Sequence, residues 1–105
     1  MRITLVCAAG MSTSMLMKAM DKYAVANGID AAIIAVPESK LDSVLNETDV
    51  VLIGPQMGFI EPDVKAKAEP IGVPVAVIPI TDYGTMNGGN VLNLAFHLAE
   101  NKKCL

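Results

Sequence analysis

Residues 3–14 read Ile-Thr-Leu-Val-Cys-Ala-Ala-Gly-Met-Ser-Thr-Ser. A short apolar run passes directly into a cysteine, three small residues, a methionine and three hydroxylated residues. From Ser12 onward the spacing turns helical. Apolar side chains recur at Met15, Leu16, Ala19, Met20 and Tyr23, with Lys18, Asp21 and Lys22 off that stripe, and Asn27-Gly28 makes a fitting stop. Strand, small-residue turn and helix, in that order, open a βα unit.

Working outward, three more apolar runs rich in Val and Ile follow: Ile29–Val36, Val50–Ile53 and Val73–Ile78. Each is nearly continuous rather than alternating, which predicts strands buried on both faces of a parallel sheet. The stretches between them are long enough for the crossovers that parallel strands require. Pro37-Glu38-Ser39 opens a short helix around Leu41, Val44 and Leu45, and Asp63–Glu69 is a polar helix between Pro62 and Pro70. A closing helix over Gly89–Asn101 sets Val91, Leu94, Ala95 and Leu98 on one face. The expectation is α/β: one domain over residues 1–105, a single doubly wound four-stranded parallel sheet with helices on both faces.

Composition narrows the function. Hydrophobic residues make up 52% of the 105 and charged residues 18%, which is not a disordered composition. Eight basic against eleven acidic side chains give a net charge of −3 with no basic block, so neither nucleic acid nor an anionic membrane surface is expected as a partner. No apolar run reaches the ~18 residues of a membrane span. Only four residues separate Arg2 from Cys7, too few for the apolar stretch of a secretory signal. The two cysteines, Cys7 and Cys104, make no disulfide scaffold, and the expectation is a cytoplasmic protein with reduced thiols.

In a doubly wound sheet, ligands collect beyond the carboxyl ends of the strands, where the strand order reverses. Right-handed crossovers make the first and third strands neighbours there, which puts Cys7–Ser14 at the centre of the site. Small residues let the backbone wrap closely, and successive N–H groups of such a turn form a nest for an anion. The following helix adds its positive end. The expected phosphate cradle comprises Ala8, Ala9, Gly10, Met11, Ser12, Thr13 and Ser14, with the hydroxyls as donors or as helix caps. No charged side chain lies between Ile3 and Met17, so dipoles alone would hold the anion. The same donors favour a thiolate at Cys7, a nucleophile for phosphorus. A free cysteine ending a strand is commonly an inert buried one; here the ordered context favours a reactive one. Neither the P-loop pattern nor the dinucleotide fingerprint is present.

The loop resembles that of low-molecular-weight tyrosine phosphatases, whose signature is C-x5-R-[ST]. It resembles more closely the enzyme IIB components of the lactose/cellobiose (diacetylchitobiose) class of the bacterial sugar phosphotransferase system. That likeness runs over essentially the whole chain and includes the strand–Cys opening, CAAGMSTS, DVVLIGPQ at Asp49–Gln56, the Tyr83-Gly84 loop and a closing helix. It implies a phosphoryl carrier. Cys7, the catalytic residue, would take phosphate from the phosphohistidine of a IIA protein and pass it to a sugar bound by a membrane IIC transporter, a β-linked disaccharide such as cellobiose or diacetylchitobiose. Contact with the inner face of the membrane would be transient and through IIC. The phosphatase arginine position holds Thr13, which removes the fork that stabilises hydrolysis. The alternative is a phosphatase or an arsenate-reductase-like enzyme.

Asp82-Tyr83 is the best support for that alternative, since such phosphatases place an acid near a tyrosine there; Asp in T-D-Y-G is more commonly a turn former. Gln56, Met57, Asp82 and Tyr83 are candidate loop or partner contacts, with Met11 and Met57 as a partly exposed apolar rim. Met15 and Met20 are expected in the core. His97, the single histidine, shares a face with Asn90, Asn93 and Glu100 and points to solvent. No Cys/His cluster suggests a metal, and no cofactor is expected.

Overall fold

A computed structural model describes residues 1–7 and 11–104, without the side chains of 11, 12 and 101–104. Four parallel strands, β1 (Arg2–Val6), β2 (Ala32–Val36), β3 (Val50–Ile53) and β4 (Val75–Val77), form one sheet in the order β2-β1-β3-β4. β1 is central, pairing Thr4 with Ile34 on one side and with Val51 on the other. The expected adjacency of the first and third strands is therefore present.

The continuous apolar runs of β1 and β3 have a direct cause. Ile3–Val6 and Val50–Ile53 are buried along their whole length because helices cover both faces of the sheet. On one face Leu16, Met20 and Ala24 of α1 (Met11–Ala26) and Val91, Leu92 and Ala95 of α5 (Gly88–Cys104) pack against Ile3, Leu5, Val50 and Leu52. On the other, Leu41 of α2 (Leu41–Val44), Leu45 just beyond it, and Val64 and Ala68 of α3 (Glu61–Ala68) meet Val6, Val51, Ile53 and Val75. A last short helix, α4, spans Ile80–Gly84. No helix among the described residues is long and apolar enough to cross a membrane.

β2 departs from the expectation. It lies at the sheet edge, and Ile34 is 43% exposed. Beside it is a groove of about 270 Å³ lined by Thr4, Ala32, Ile34, Val44 and Thr48 among others. Met15 departs as well. The buried stripe of α1 is Leu16–Met20–Ala24, at i, i+4 and i+8, and Met15 faces outward at 59% exposure. In α5, Leu92 is fully buried, which the helical stripe had not included.

Element ends follow local chemistry. At the end of α1, Gly28 takes φ +67° and the Ile29 N–H donates to the Ala24 carbonyl at 2.8 Å, a glycine-terminated stop. α3 begins at Glu61, earlier than Asp63, because Pro62 is suited to the first helical turn. Gly88 lets the start of α5 touch α1: a Cβ there would lie 2.4 Å from the Ala19 carbonyl carbon.

Candidate functional site

The carboxyl ends of β1, β3 and β4 and the amino end of α1 converge on one edge of the molecule. Cys7 directly follows β1, and its N–H donates to the Val36 carbonyl at 3.2 Å, extending the β1–β2 ladder by one residue. Its side chain is half-buried, and the thiol is free. Ala8, Ala9 and Gly10 lie outside the described residues, as do the side chains of Met11 and Ser12, which occupy the start of α1. Ser14, two residues beyond Ser12, is exposed, and the first turn of α1 carries no acidic residue. Its positive end is thus uncompensated by a carboxylate of that turn.

Thr13 is different from its neighbours. It is 4% exposed, and its Oγ1 lies 3.2 Å from the Tyr83 hydroxyl in a buried contact. Tyr83 comes from α4, so the stretch expected to be a loop is a helical turn that directs this ring inward. The ring passes close to Gly54, where a Cβ would sit 3.9 Å from Tyr83 Cε2 and 3.7 Å from the Val6 carbonyl oxygen. The Gly54 N–H donates to that same Val6 oxygen at 3.0 Å, tying the ends of β1 and β3 together beside Cys7. Sequence reasoning named Thr13 and Tyr83 separately but not their bond. Partners 70 residues apart leave no local pattern to read.

Asp82 does not stand free. Its Oδ1 accepts from Asn90 Nδ2 at 3.0 Å, and its carbonyl accepts the Asn87 N–H at 2.9 Å. Asn87 Oδ1 in turn accepts the Asn90 N–H, capping α5. Those contacts fit the turn-forming role of Asp82. Gln56 is exposed, its Oε1 turned toward Gly54, and Met57 is half-buried against the core cluster beneath α2 and α3. His97 is exposed, as expected, with Asn90, Asn93 and Glu100. The side chain of Cys104 lies outside the described residues.

Two apolar side chains at this edge escaped the sequence reading. Phe59, in the 3-10 turns after β3, is 77% exposed, and Ile80, just after β4, is 75% exposed. The signal was available: each is a large hydrophobe placed beyond a strand's end, where the helical stripes give it no core to enter.

A family model described as the lactose/cellobiose-specific IIB subunit of the phosphotransferase system matches residues 2–94. The chain is 46% identical over 101 residues to the galactose-specific EIIB component of Lactococcus lactis subsp. cremoris, covering 91% of this chain and 94% of that one. It is equally similar, over the same shares, to the cellobiose-specific EIIB component of Lactococcus lactis subsp. lactis. The oligo-beta-mannoside-specific EIIB component of Bacillus subtilis is 37% identical over 96% of this chain and 98% of its own. The solution structure of a cellobiose-specific IIB component from Borrelia burgdorferi superposes with a TM-score of 0.83 at 46% identity, over 97% of this chain and 94% of that one. A lactose-specific IIB domain from Streptococcus pneumoniae shares the fold at a TM-score of 0.79, with 14% identity, over 93% and 96% of the two chains.

Proposed function

The chain belongs to the family of lactose/cellobiose-specific IIB subunits of the sugar phosphotransferase system, and from that premise we propose that Cys7 carries its phosphoryl group. Such a subunit is a phosphotransferase component that relays phosphate toward a sugar. What supports Cys7 is position: it is half-buried at the carboxyl end of the central strand, immediately ahead of the amino end of α1. Residues 1–105 act as one phosphocysteine domain.

In the first step Cys7 Sγ attacks the phosphorus of a phosphohistidine on a IIA protein. The S–P bond forms as the N–P bond breaks, and the thiol proton ends on the released imidazole. In the second step a sugar hydroxyl on the membrane IIC component attacks phosphorus, the S–P bond breaks, and the hydroxyl proton returns to sulfur. Backbone amides of Ala8–Ser14 and the hydroxyls of Ser12, Thr13 and Ser14 stabilise the phosphoryl oxygens in both steps. Met15, Met57, Phe59 and Ile80 form the apolar rim that both partners meet. Thr13 at the phosphatase arginine position favours a carrier over a hydrolase, because water receives no guanidinium assistance in attacking the phosphocysteine.

The sugar is a β-linked disaccharide of the cellobiose type, held by IIC and not by this chain. Relatives equally similar to it are named for galactose and for cellobiose, which fits a sugar choice made elsewhere. The test is intact mass after incubation with phosphoenolpyruvate, enzyme I, the phosphocarrier protein and candidate IIA proteins. One added phosphoryl group in the wild type and none in Cys7→Ala is the expected result. No gain with any IIA, together with steady release of phosphate from an aryl ester, would establish a hydrolase instead.

A further inference from the structure

We propose that Tyr83 is a positioning residue for phosphoryl transfer: its hydroxyl donates to Thr13 Oγ1 and thereby turns the Thr13 proton toward the phosphoryl group. The proposal rests on Cys7 being the phosphoryl acceptor. Thr13 stands six residues after Cys7, in the first turn of α1, and is almost fully buried. A threonine hydroxyl can spend its only proton on nearby backbone instead of on a ligand. The 3.2 Å contact with Tyr83 offers another arrangement.

Either oxygen can donate at that distance, but the chemistry is not symmetric. A hydroxyl has one proton and two acceptor lone pairs, and a phenol is a stronger donor than an aliphatic alcohol. With Tyr83 donating, Thr13 accepts through one lone pair and keeps its own proton for an anion. Tyr83 can hold this geometry because it is 8% exposed and packed with the core cluster beneath α1 and α5. The loop contains no cation, so neutral donors must already be aimed when the phosphoryl group arrives. Tyr83 therefore acts through Thr13 and touches neither partner nor phosphate.

The test measures phosphoryl transfer from phosphorylated IIA to the full chain in wild type, Tyr83→Phe, Thr13→Val and the double variant, with Tyr23→Phe as control. Tyr83→Phe keeps the ring and its packing, so the fold survives. Its transfer rate is expected to fall about tenfold, with the IIA concentration at half-maximal rate unchanged. Thr13→Val falls at least as far, and the double variant falls no further than Thr13→Val alone, because Tyr83 has nothing left to orient. Tyr23→Phe matches the wild type. Tyr83→Phe at the wild-type rate would overturn the proposal. So would losses that multiply in the double variant, or a loss confined to the half-maximal IIA concentration, which would make Tyr83 a partner contact. Absence of phosphate on the wild type, or its persistence on Cys7→Ala, would instead overturn the Cys7 reading and take this proposal with it.

Discussion

Thr4, Thr13 and Thr48 are the polar side chains buried among the described residues, and each is buried with a partner. A buried hydroxyl is tolerable only while its proton has somewhere to go. Thr48 Oγ1 donates to the Val44 carbonyl at 2.9 Å, so its other contact, 2.7 Å to Thr4 Oγ1, must be one in which Thr4 donates. The order of that chain makes the two threonines unequal. Thr4→Val leaves Thr48 still donating to Val44 and is expected to cost under about 1 kcal/mol. Thr48→Val strands the Thr4 proton on the buried central strand and is expected to cost about 2 kcal/mol, with Thr4→Val/Thr48→Val recovering part of the loss. Urea unfolding of the variants checks this, and equal costs for the single changes would refute the donor order. The same hydroxyl accounting applies to Thr13 and Tyr83, which meet in a buried contact of 3.2 Å.

At the scale of elements, the sheet was legible where burial is complete and illegible where it is not. Ile3–Val6 and Val50–Ile53 announce themselves because both faces are covered, so each of these positions must be apolar or carry a satisfied hydroxyl. β2 carries an equally apolar run but lies at the edge, and nothing local to Ile34 distinguishes an edge from a centre. Cys7 and the residues after it could be proposed from sequence because they lie within one short segment. The Thr13–Tyr83 bond depends on elements brought together only by folding. The α1–α5 seam is of that kind too. A Cβ on Gly88 would meet the backbone of Ala19 and Met20 at 2.4–2.5 Å, and backbone cannot step aside as a side chain can. Gly88→Ala is expected to cost about 2–3 kcal/mol and lower Tm by roughly 10 °C or more. Gly84→Ala, where no atom lies within 4 Å of the added Cβ and φ is not positive, is expected to be neutral or to stabilise by about 0.5 kcal/mol. Thermal denaturation separates the two, and similar Tm shifts would disprove a seam that requires glycine.

For the whole molecule, the proposed relay raises the question of how one small face would meet two partners in turn. A net charge of −3 without a basic block gives little long-range steering, so recognition falls to shape and apolar contact near the sulfur. Phe59 and Ile80 have the exposure such a surface needs, 77% and 75%, and they flank the carboxyl ends of β3 and β4. Neither supports the core, so a charge can replace either one at little cost in stability. Phe59→Glu and Ile80→Glu are each expected to raise the IIA concentration for half-maximal transfer about tenfold, the size of loss common for a central apolar anchor. The lifetime of the phosphocysteine, once made, should stay at the wild-type value, because neither side chain belongs to the cradle. That pairing is the opposite of the one expected for Tyr83→Phe, where the rate falls and the half-maximal concentration holds. Titrating phosphorylated IIA against both sets of variants therefore separates docking from orientation on a single instrument. A shortened lifetime in Phe59→Glu, or an unchanged titration in both glutamate variants, would place the partner surface elsewhere on the molecule.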